Sequence, residues 1–255
     1  MIFDTHAHYD DKAFDEDRDI LLQSLNHYGI KNVVNVAAGM DSCISSLKLA
    51  DEYEFIYAAV GVHPSETTNL TEDDLDTLEE YCDRDKVVAV GEIGLDYHWE
   101  DPSPEHQKEF FIKQLDIARR KQLPVIIHSR DAAADTMDII RSERAGELGG
   151  VIHCYSYSAE QAVTYVDMGF YIGVGGVVTF KNGRKLRECV ERIPLERIVL
   201  ETDCPYLAPE PYRGQRNSSL YLTNVVKEIA QIKQLSIEEV MEITFNNAQR
   251  LYRLI

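Results

Sequence analysis

Short runs of apolar and β-branched residues recur along the chain, separated by stretches in which apolar residues return every three or four positions. The runs predict eight strands, at residues 2–3, 32–37, 55–61, 87–91, 124–127, 150–152, 170–174 and 198–200. The intervening stretches have the period of amphipathic helices. Because the strands begin roughly every 20–35 residues with a helix between them, the pattern favours a parallel sheet.

Capping signals support the predicted helices. The first helix should bury one face and end at a C′ glycine, Gly29; that face consists of Ile20, Leu21, Leu25 and Tyr28. Four later helices begin with a capping residue, at Thr71-x-x-Asp74, Ser103-Pro104, Ser158-x-x-Gln161 and Ser236-x-x-Glu239. These signals fix where the polypeptide changes from strand or loop to helix.

Eight βα units in 255 residues have the size of a (β/α)8 TIM barrel. A doubly wound open sheet is the main alternative, but no GxGxxG motif follows the first strand. No linker or low-complexity tract divides the chain. We therefore predict an α/β fold with one TIM-barrel domain over residues 1–255.

Histidines and acids follow six of the eight predicted strands. Five of the eight histidines lie there, as do Glu92 and Asp203; these histidines are His6, His8, His63, His128 and His153. Since the carboxyl ends of barrel strands meet at one rim, we expect these side chains to converge. The other three histidines, His27, His98 and His106, are expected to have surface or capping roles.

Four imidazoles and two carboxylates of this set form a candidate metal site: His6, His8, Glu92, His128, His153 and Asp203. One tetrahedral ion with an open position needs fewer ligands, whereas two ions that share a bridging ligand would use all six. Glu92 is the expected bridge, since a carboxylate can offer one oxygen to each ion. The mixed nitrogen and oxygen donors suit Zn, Mn, Co or Fe, and Mg when water completes its coordination.

The net charge and the cysteine content limit the kinds of partner and the cellular compartment that we expect for this protein. The net charge of −18 argues against binding of nucleic acid through an extended basic surface. If the protein acts on phosphates, local positive groups or bound cations must supply the positive potential. Five cysteines without a CxxC pair indicate a reducing environment. Because there is neither a signal peptide pattern nor an apolar run of about 18–20 residues, we expect a cytoplasmic protein with no membrane partner, most simply a monomer.

The motifs in which these residues occur resemble those of the TatD family of metal-dependent hydrolases. They are DTHAH, GVHP, GEIGLDYHW, IIHSRDA, IHCYS and ETDCPYLAP, and the late segment PYRGQRNSSLYL also matches. The resemblance implies a TIM barrel related to the amidohydrolase superfamily, with a divalent-metal site formed by the six ligands above. It also implies phosphodiesterase activity on DNA, in the manner of a deoxyribonuclease.

One segment departs from the family pattern. Many members have RGKRNEP where this chain has RGQRNSS, so Gln215, Ser218 and Ser219 replace common family residues. The six ligands are intact, and the departure therefore bears on substrate preference.

The hypothesis for the reaction is hydrolysis of a phosphodiester by two divalent ions, Mg, Mn or Zn. Glu92, Asp203 and His63 are the residues expected to act in catalysis: Glu92 as the bridge, Asp203 as an ion ligand that accepts the proton of the attacking water. His63 would bind phosphate or transfer a proton, although a structural role for the GVHP turn is nearly as well supported.

Other residues are candidates for substrate binding. Arg213 and Arg216 follow the last strand, and guanidinium groups suit phosphate, although exposed arginines are often only solvated. Tyr97 and Trp99 could stack on a base or pack beneath the rim. The expected partner is a nucleic acid with few phosphates bound at once, single-stranded DNA or DNA ends, cleaved in an exonuclease-like manner.

Three alternatives remain open at this point. The same site could hydrolyse another ester, such as that of an aminoacyl-tRNA, although Glu92 stands where relatives that cleave phosphotriesters have a modified lysine. A catalytically inactive metal-binding scaffold should show gaps in the ligand set, and there are none. A glycosidase that pairs Glu92 with Asp96 or Asp203 would leave four rim histidines unexplained.

Overall fold

The computed structural model describes residues 1–255 and contains one eight-stranded parallel sheet. Its strands follow chain order: β1 (Ile2–Ala7), β2 (Ile30–Val36), β3 (Ile56–Val60), β4 (Val87–Asp96), β5 (Val125–Arg130), β6 (Gly150–Ile152), β7 (Tyr171–Val174) and β8 (Ile198–Leu200). β8 has no ladder with β1; the segment that follows β8 forms an isolated bridge between Cys204 and Ala7 of β1, so the barrel is nearly closed. The predicted (β/α)8 architecture is confirmed.

Nine α-helices accompany the strands, with short 3-10 turns between some elements. They are α1 (Arg18–Leu25), α2 (Met40–Glu52), α3 (Glu72–Tyr81), α4 (Pro104–Lys121), α5 (Ala133–Ser142), α6 (Ala159–Asp167), α7 (Arg184–Arg192), α8 (Leu222–Lys233) and α9 (Ile237–Leu251). No helix combines the length and apolar character that crossing a membrane requires. All five cysteines are free.

The last helix, α9, covers the amino-terminal end of the barrel. The second residue of five strands lies in one apolar cluster with Phe245 and Leu251 of α9; these strand residues are Phe3, Val88, Ile126, Val151 and Val199. The Tyr252 hydroxyl, just beyond α9, donates a hydrogen bond to the carbonyl of Thr5. The carboxyl ends of the strands are therefore the end left open for a site.

Three strands extend further than the apolar pattern predicted. Predicted strands at 2–3, 87–91 and 124–127 continue to Ala7, Asp96 and Arg130. The polar residues there interrupt the apolar run, but the backbone ladder continues, as the register pairs Gly94–His128 and Asp96–Arg130 show. His6, Glu92 and His128 consequently lie within strands, where the sheet restricts the direction of their side chains.

The predicted buried face of the first helix is partly wrong. Ile20 is 74% exposed and Tyr28 is 63% exposed, whereas Leu22 and Leu25 are buried. The α-helix ends at Leu25 and a 3-10 turn follows, so the helical phase changes before Tyr28. Gly29 does adopt the expected left-handed conformation, with φ of 86°.

The predicted caps are largely confirmed. Thr71 and Ser236 form full capping boxes, and Ser103 accepts a bond from the backbone N–H of His106. Ser158 caps the N–H of Gln161, but no return bond from the Gln161 side chain completes a box there.

Candidate metal centre

The predicted ligands meet at the carboxyl end of the barrel, where all but the buried His6 line one cavity of about 610 Å³. His6 and Glu92 come from β1 and β4, and His128 comes from β5. His8 and His153 directly follow β1 and β6, and Asp203 lies three residues after the end of β8. Residues up to 197 positions apart (203 − 6) are thereby brought within a few ångströms of one another.

One group of ligand atoms lies on the β1–β8 side of Glu92. The Nε2 atoms of His6 and His8 are 3.1 Å apart, and they lie 3.7 and 3.3 Å from Oδ1 of Asp203. Oε2 of Glu92 is 3.5 Å from His6 Nε2 and 4.0 Å from His8 Nε2. His8 bonds through Nδ1 to the carbonyl oxygen of Val36 at 2.8 Å, so Nδ1 carries a proton and Nε2 is the atom that faces the other candidate ligands.

A second group lies around the other carboxylate oxygen of Glu92. Oε1 is 2.7 Å from Nδ1 of His128, 3.0 Å from Nε2 of His153 and 4.0 Å from Nε2 of His63. His128 also approaches Asp96, with 3.2 Å between Nε2 and Oδ2. The two oxygens of Glu92 therefore face two different groups of donors, which is the arrangement expected of a bridging ligand.

The chemistry of these side chains fits divalent cations. Two buried imidazole atoms, Nδ1 of His6 and Nδ1 of His153, have no hydrogen-bond partner, and the two rings stack with centroids 3.8 Å apart. The cavity lining carries five carboxylates and one guanidinium, so with neutral imidazoles the surplus is four negative charges. Two divalent ions would carry an equal positive charge.

Burial and neighbouring charges set the protonation of the site. Burial alone would raise the pKa of Glu92, but His153 and His128 outweigh it and hold that pKa well below its usual value. Glu92 is thus an ionised ligand. Burial lowers the pKa of His63 to about 4, so that imidazole is neutral at pH 7.

The hydrogen bonds of His63 distinguish it from the histidine ligands. Its Nδ1 accepts a bond from the backbone N–H of Ser65 at 3.2 Å. In a neutral imidazole the proton then lies on Nε2, the atom that points toward Glu92. His63 is therefore a hydrogen-bond donor to whatever occupies the cavity.

Asp4, the first residue of the DTHAH motif, is a residue to which the sequence analysis gave no role. It is fully buried, and its Oδ1 accepts bonds from the backbone N–H groups of His6 and Thr202 at 3.3 and 3.0 Å. Its Oδ2 accepts bonds from the hydroxyls of Thr202 and Ser219 at 2.7 and 2.6 Å. Asp4 thus joins β1 to the segment after β8 where the strand ladder is missing, and it positions the ligands His6 and Asp203.

Glu201 is a second residue that the sequence analysis missed. It is buried, its Oε1 accepts a bond from the backbone N–H of Cys154 at 2.6 Å, and its Oε2 lies 3.6 Å from Nδ1 of His153. Carboxylates in this position orient a metal-bound histidine. The only signal in the sequence is its alternate spacing from Asp203 in the ETD motif.

Some of the residues predicted to bind substrate line the cavity, and others lie outside it. Trp99 lines the cavity and is 56% exposed, but the Tyr97 hydroxyl donates to Asp135 away from it. Arg213 stacks on the ring of Phe180, and Arg216 pairs with Asp17 at 2.6 Å; neither lines the cavity. Their role in phosphate binding stays a prediction.

Two residues that the sequence analysis did not select, Arg130 and Tyr206, line the cavity. Both belong to motifs of the resemblance, IIHSRDA and ETDCPYLAP, which was the available signal. The three other histidines lie outside it; His106, for example, bonds through Nε2 to the carbonyl of Thr67.

Comparisons with known proteins agree with this geometry. The model of a family described as TatD related DNase matches residues 3–253. The chain is 42% identical to an uncharacterized metal-dependent hydrolase of Bacillus subtilis, YabD, over the full length of both proteins. It is 32% identical to the crystal structure of YjjV, a TatD homologue from Escherichia coli, with a TM-score of 0.93 that covers 99% of this chain and 98% of that one.

A more distant structure extends the fold relationship. An uncharacterized amidohydrolase from Saccharomyces cerevisiae shares the fold at a TM-score of 0.87 and 18% identity, covering 98% of this chain and 99% of the other. The matched family model spans nearly the whole chain, and the ligand motifs converge as the family resemblance implied. The chain therefore belongs to the TatD family of metal-dependent hydrolases.

Proposed function

We propose that this protein hydrolyses phosphodiester bonds of nucleic acid with two divalent ions, acting as an exonuclease-like deoxyribonuclease on single-stranded DNA or DNA ends. The observation that carries the proposal is the position of Glu92, whose two oxygens face two separate groups of nitrogen and oxygen donors. Paired metal ions that share a ligand are a common solution for phosphodiester hydrolysis.

The six candidate ligands would bind two ions. His6, His8 and Asp203 would hold one, His128 and His153 the other, and Glu92 both; Mg, Mn or Zn could serve. When bound, such ions lower the pKa of a coordinated water and stabilise the charge that develops on the phosphate.

Asp203 and His63 have the geometry for the remaining steps. The Asp203 side chain is 19% exposed at the cavity and ionised, since the bond from His8 and nearby imidazoles outweigh the effect of burial on its pKa. It is placed to accept a proton from an attacking water. The Nε2 proton of His63 would be donated to a non-bridging phosphate oxygen.

The surroundings of the site support nucleic acid as the substrate. Trp99 and Tyr206 line the same cavity, and each is 56% exposed, so both rings are available for stacking on a base. The net charge of −18 would limit binding to a short stretch of phosphates near the bound cations.

The test is a substrate panel with controlled metal content. The protein is stripped of metal with a chelator and then supplied with Mg, Mn or Zn in separate assays. Single-stranded and duplex DNA, RNA, an aminoacyl-tRNA and small esters are compared. We expect metal-restored cleavage of single-stranded DNA; cleavage that survives metal removal, or hydrolysis confined to the aminoacyl ester, would refute the proposal.

A variant pair adds a control. Glu92→Gln removes the charge of the bridge and should abolish turnover, because the amide offers only one oxygen. Glu242→Gln, on the exposed surface of α9 at the other end of the barrel, makes the same chemical change and should leave turnover intact. Equal activity of both variants would remove Glu92 from the site.

A further inference from the structure

The candidate site lies between two walls that differ in net charge. β1 and β8 are neighbours at the closure of the barrel, while β4 and β5 are paired on the other side of the eight-stranded ring. Segments that follow these two pairs of strands therefore face each other across the cavity. Apart from the candidate ligands, the residues that line it on these two sides are Asp10, Asp11 and Tyr206 on one wall, and Asp96, Trp99 and Arg130 on the other.

The wall beside β1 and β8 is acidic. Oδ2 of Asp11 accepts a bond from the Tyr206 hydroxyl at 3.2 Å, and Oδ1 of Asp10 accepts one from the Asn35 amide at 2.8 Å. Arg18 binds only the main-chain oxygens of these two aspartates, and neither carboxylate has an ion-pair partner within 4.0 Å. Neither is among the six candidate ligands, so both carboxylates remain available to contact a substrate.

The wall beside β4 and β5 is close to neutral, because the carboxylate of Asp96, which faces His128, is balanced by one guanidinium. Arg130 is the only lysine or arginine that lines the cavity. Its side chain is exposed and makes neither a hydrogen bond nor an ion pair, so the guanidinium is free to bind an anion. Trp99 lies in the segment between β4 and α4, and its indole ring is exposed.

A nucleic acid strand with its scissile phosphate at the ligand cluster would experience both walls. Phosphates on the β1–β8 side would lie against two unpaired carboxylates in a partly enclosed, weakly screened site. Phosphates on the β4–β5 side would meet the free guanidinium. A nucleoside that ends in a hydroxyl carries no charge, and it can donate a hydrogen bond to a carboxylate.

We propose that the cavity recognises the end of the chain: the terminal nucleoside, with a free hydroxyl, lies against Asp10, Asp11 and Tyr206, and the remaining strand runs over Arg130 and Trp99. This inference rests on the proposed nuclease function and specifies its direction across the site. It explains how a strongly acidic protein could restrict cleavage to one nucleotide at a time, because only a chain end avoids placing phosphate on the acidic wall.

The first test compares chain ends. Tetrathymidylates carry either a hydroxyl or a phosphate at the end that is removed, with a label at the other end, and both polarities are assayed with Mg and Mn. We expect the terminal phosphate to lower kcat/KM by about 10-fold or more, as for the loss of one charged hydrogen bond with added repulsion. Equal rates for the two ends would overturn the inference while leaving the nuclease function standing.

A matched pair of variants locates the discrimination. Asp11→Asn keeps an oxygen for the cap on Ala13 but removes the charge, and it should reduce the preference for the hydroxyl end toward one. Asp76→Asn, on the exposed surface of α3, should leave the preference unchanged. An unchanged preference in folded Asp11→Asn would overturn the assignment of this wall; the wild-type comparison stays decisive if that variant does not fold.

The second test concerns the opposite wall. Arg130→Gln should raise KM about 10-fold for a tetranucleotide but not for a dinucleotide, whose single phosphate occupies the ligand cluster. Trp99 is the only tryptophan of the chain, so quenching of its fluorescence by a phosphorothioate tetrathymidylate, which resists hydrolysis, reports binding without turnover. An equal KM effect on both lengths, or no quenching, would overturn the placement of the strand. If the metal-loaded protein cleaves no nucleic acid, the proposed function fails together with this inference.

Discussion

Gly173 and Glu201 lie opposite each other on β7 and just beyond β8, and replacing the glycine tests how firmly the carboxylate is held. A Cβ atom at Gly173 would lie 2.2 Å from Oε2, 2.6 Å from Cδ and 2.9 Å from Oε1 of Glu201. Glu201 is only 1% exposed and is bound to the N–H of Cys154, so it has little room to turn aside. Gly173→Ala therefore forces the buried carboxylate out of position.

The cost follows from two contributions. Overpacking of a well-filled site typically costs about 1–3 kcal/mol. Displacing Glu201 from the Cys154 N–H loses a hydrogen bond to a charged group, which is about 1.5–3 kcal/mol. We expect the free energy of unfolding to fall by about 3–5 kcal/mol, and affinity for the ion held by His153 to fall about 10–100-fold, because Glu201 no longer orients that ring.

Urea unfolding followed by circular dichroism measures the first effect, and isothermal titration with Mn²⁺ measures the second. Gly39→Ala is the control, since a Cβ there meets only Glu66 at 3.8 Å. In the double variant Gly173→Ala with Glu201→Asp, the shorter acid relieves the collision, so the two changes should be strongly non-additive. A Gly173→Ala protein within about 0.5 kcal/mol of wild type, or strictly additive changes, would refute the reasoning.

Three further outcomes are expected. Saturating Mn²⁺ at about 100 times its Kd should stabilise the fold by about 2.7 kcal/mol and raise Tm by about 5–10 °C, measured by calorimetry with and without chelator; a Tm independent of metal would contradict the site. Asp4→Asn should lower the free energy of unfolding by about 1–3 kcal/mol and weaken Mn²⁺ binding in titrations, because it loosens the link between β1 and the segment after β8; unchanged affinity would deny Asp4 a positioning role. Asn247→Ala should cost about 2–4 kcal/mol in urea unfolding, since the amide donates to the carbonyls of Leu195 and Ile198 at 2.8 Å each; a cost below about 0.5 kcal/mol would contradict this.

The sequence by itself determined the architecture and which histidines and acids meet at one end of the barrel. The carboxyl ends of all parallel strands in a barrel lie at one rim. The position of a polar residue at the end of an apolar run can therefore be predicted even when its partners are distant in the chain. For this reason the sequence alone predicts that His6, Glu92 and Asp203 lie together, and in the structure they do. The period of two or 3.6 residues carries that information locally.

Only the tertiary structure decided which other side chains face the cavity. Arg216 follows β8 as Asp203 does, yet it turns to Asp17 and the ring of Phe14, while Arg130 remains unpaired in the cavity. The roles of Asp4 and Glu201 likewise depend on contacts with partners such as Ser219 and Gly173. The orientation of loop side chains and buried acids depends on contacts with residues far along the chain. Such contacts produce no periodic pattern in the sequence from which they could be predicted.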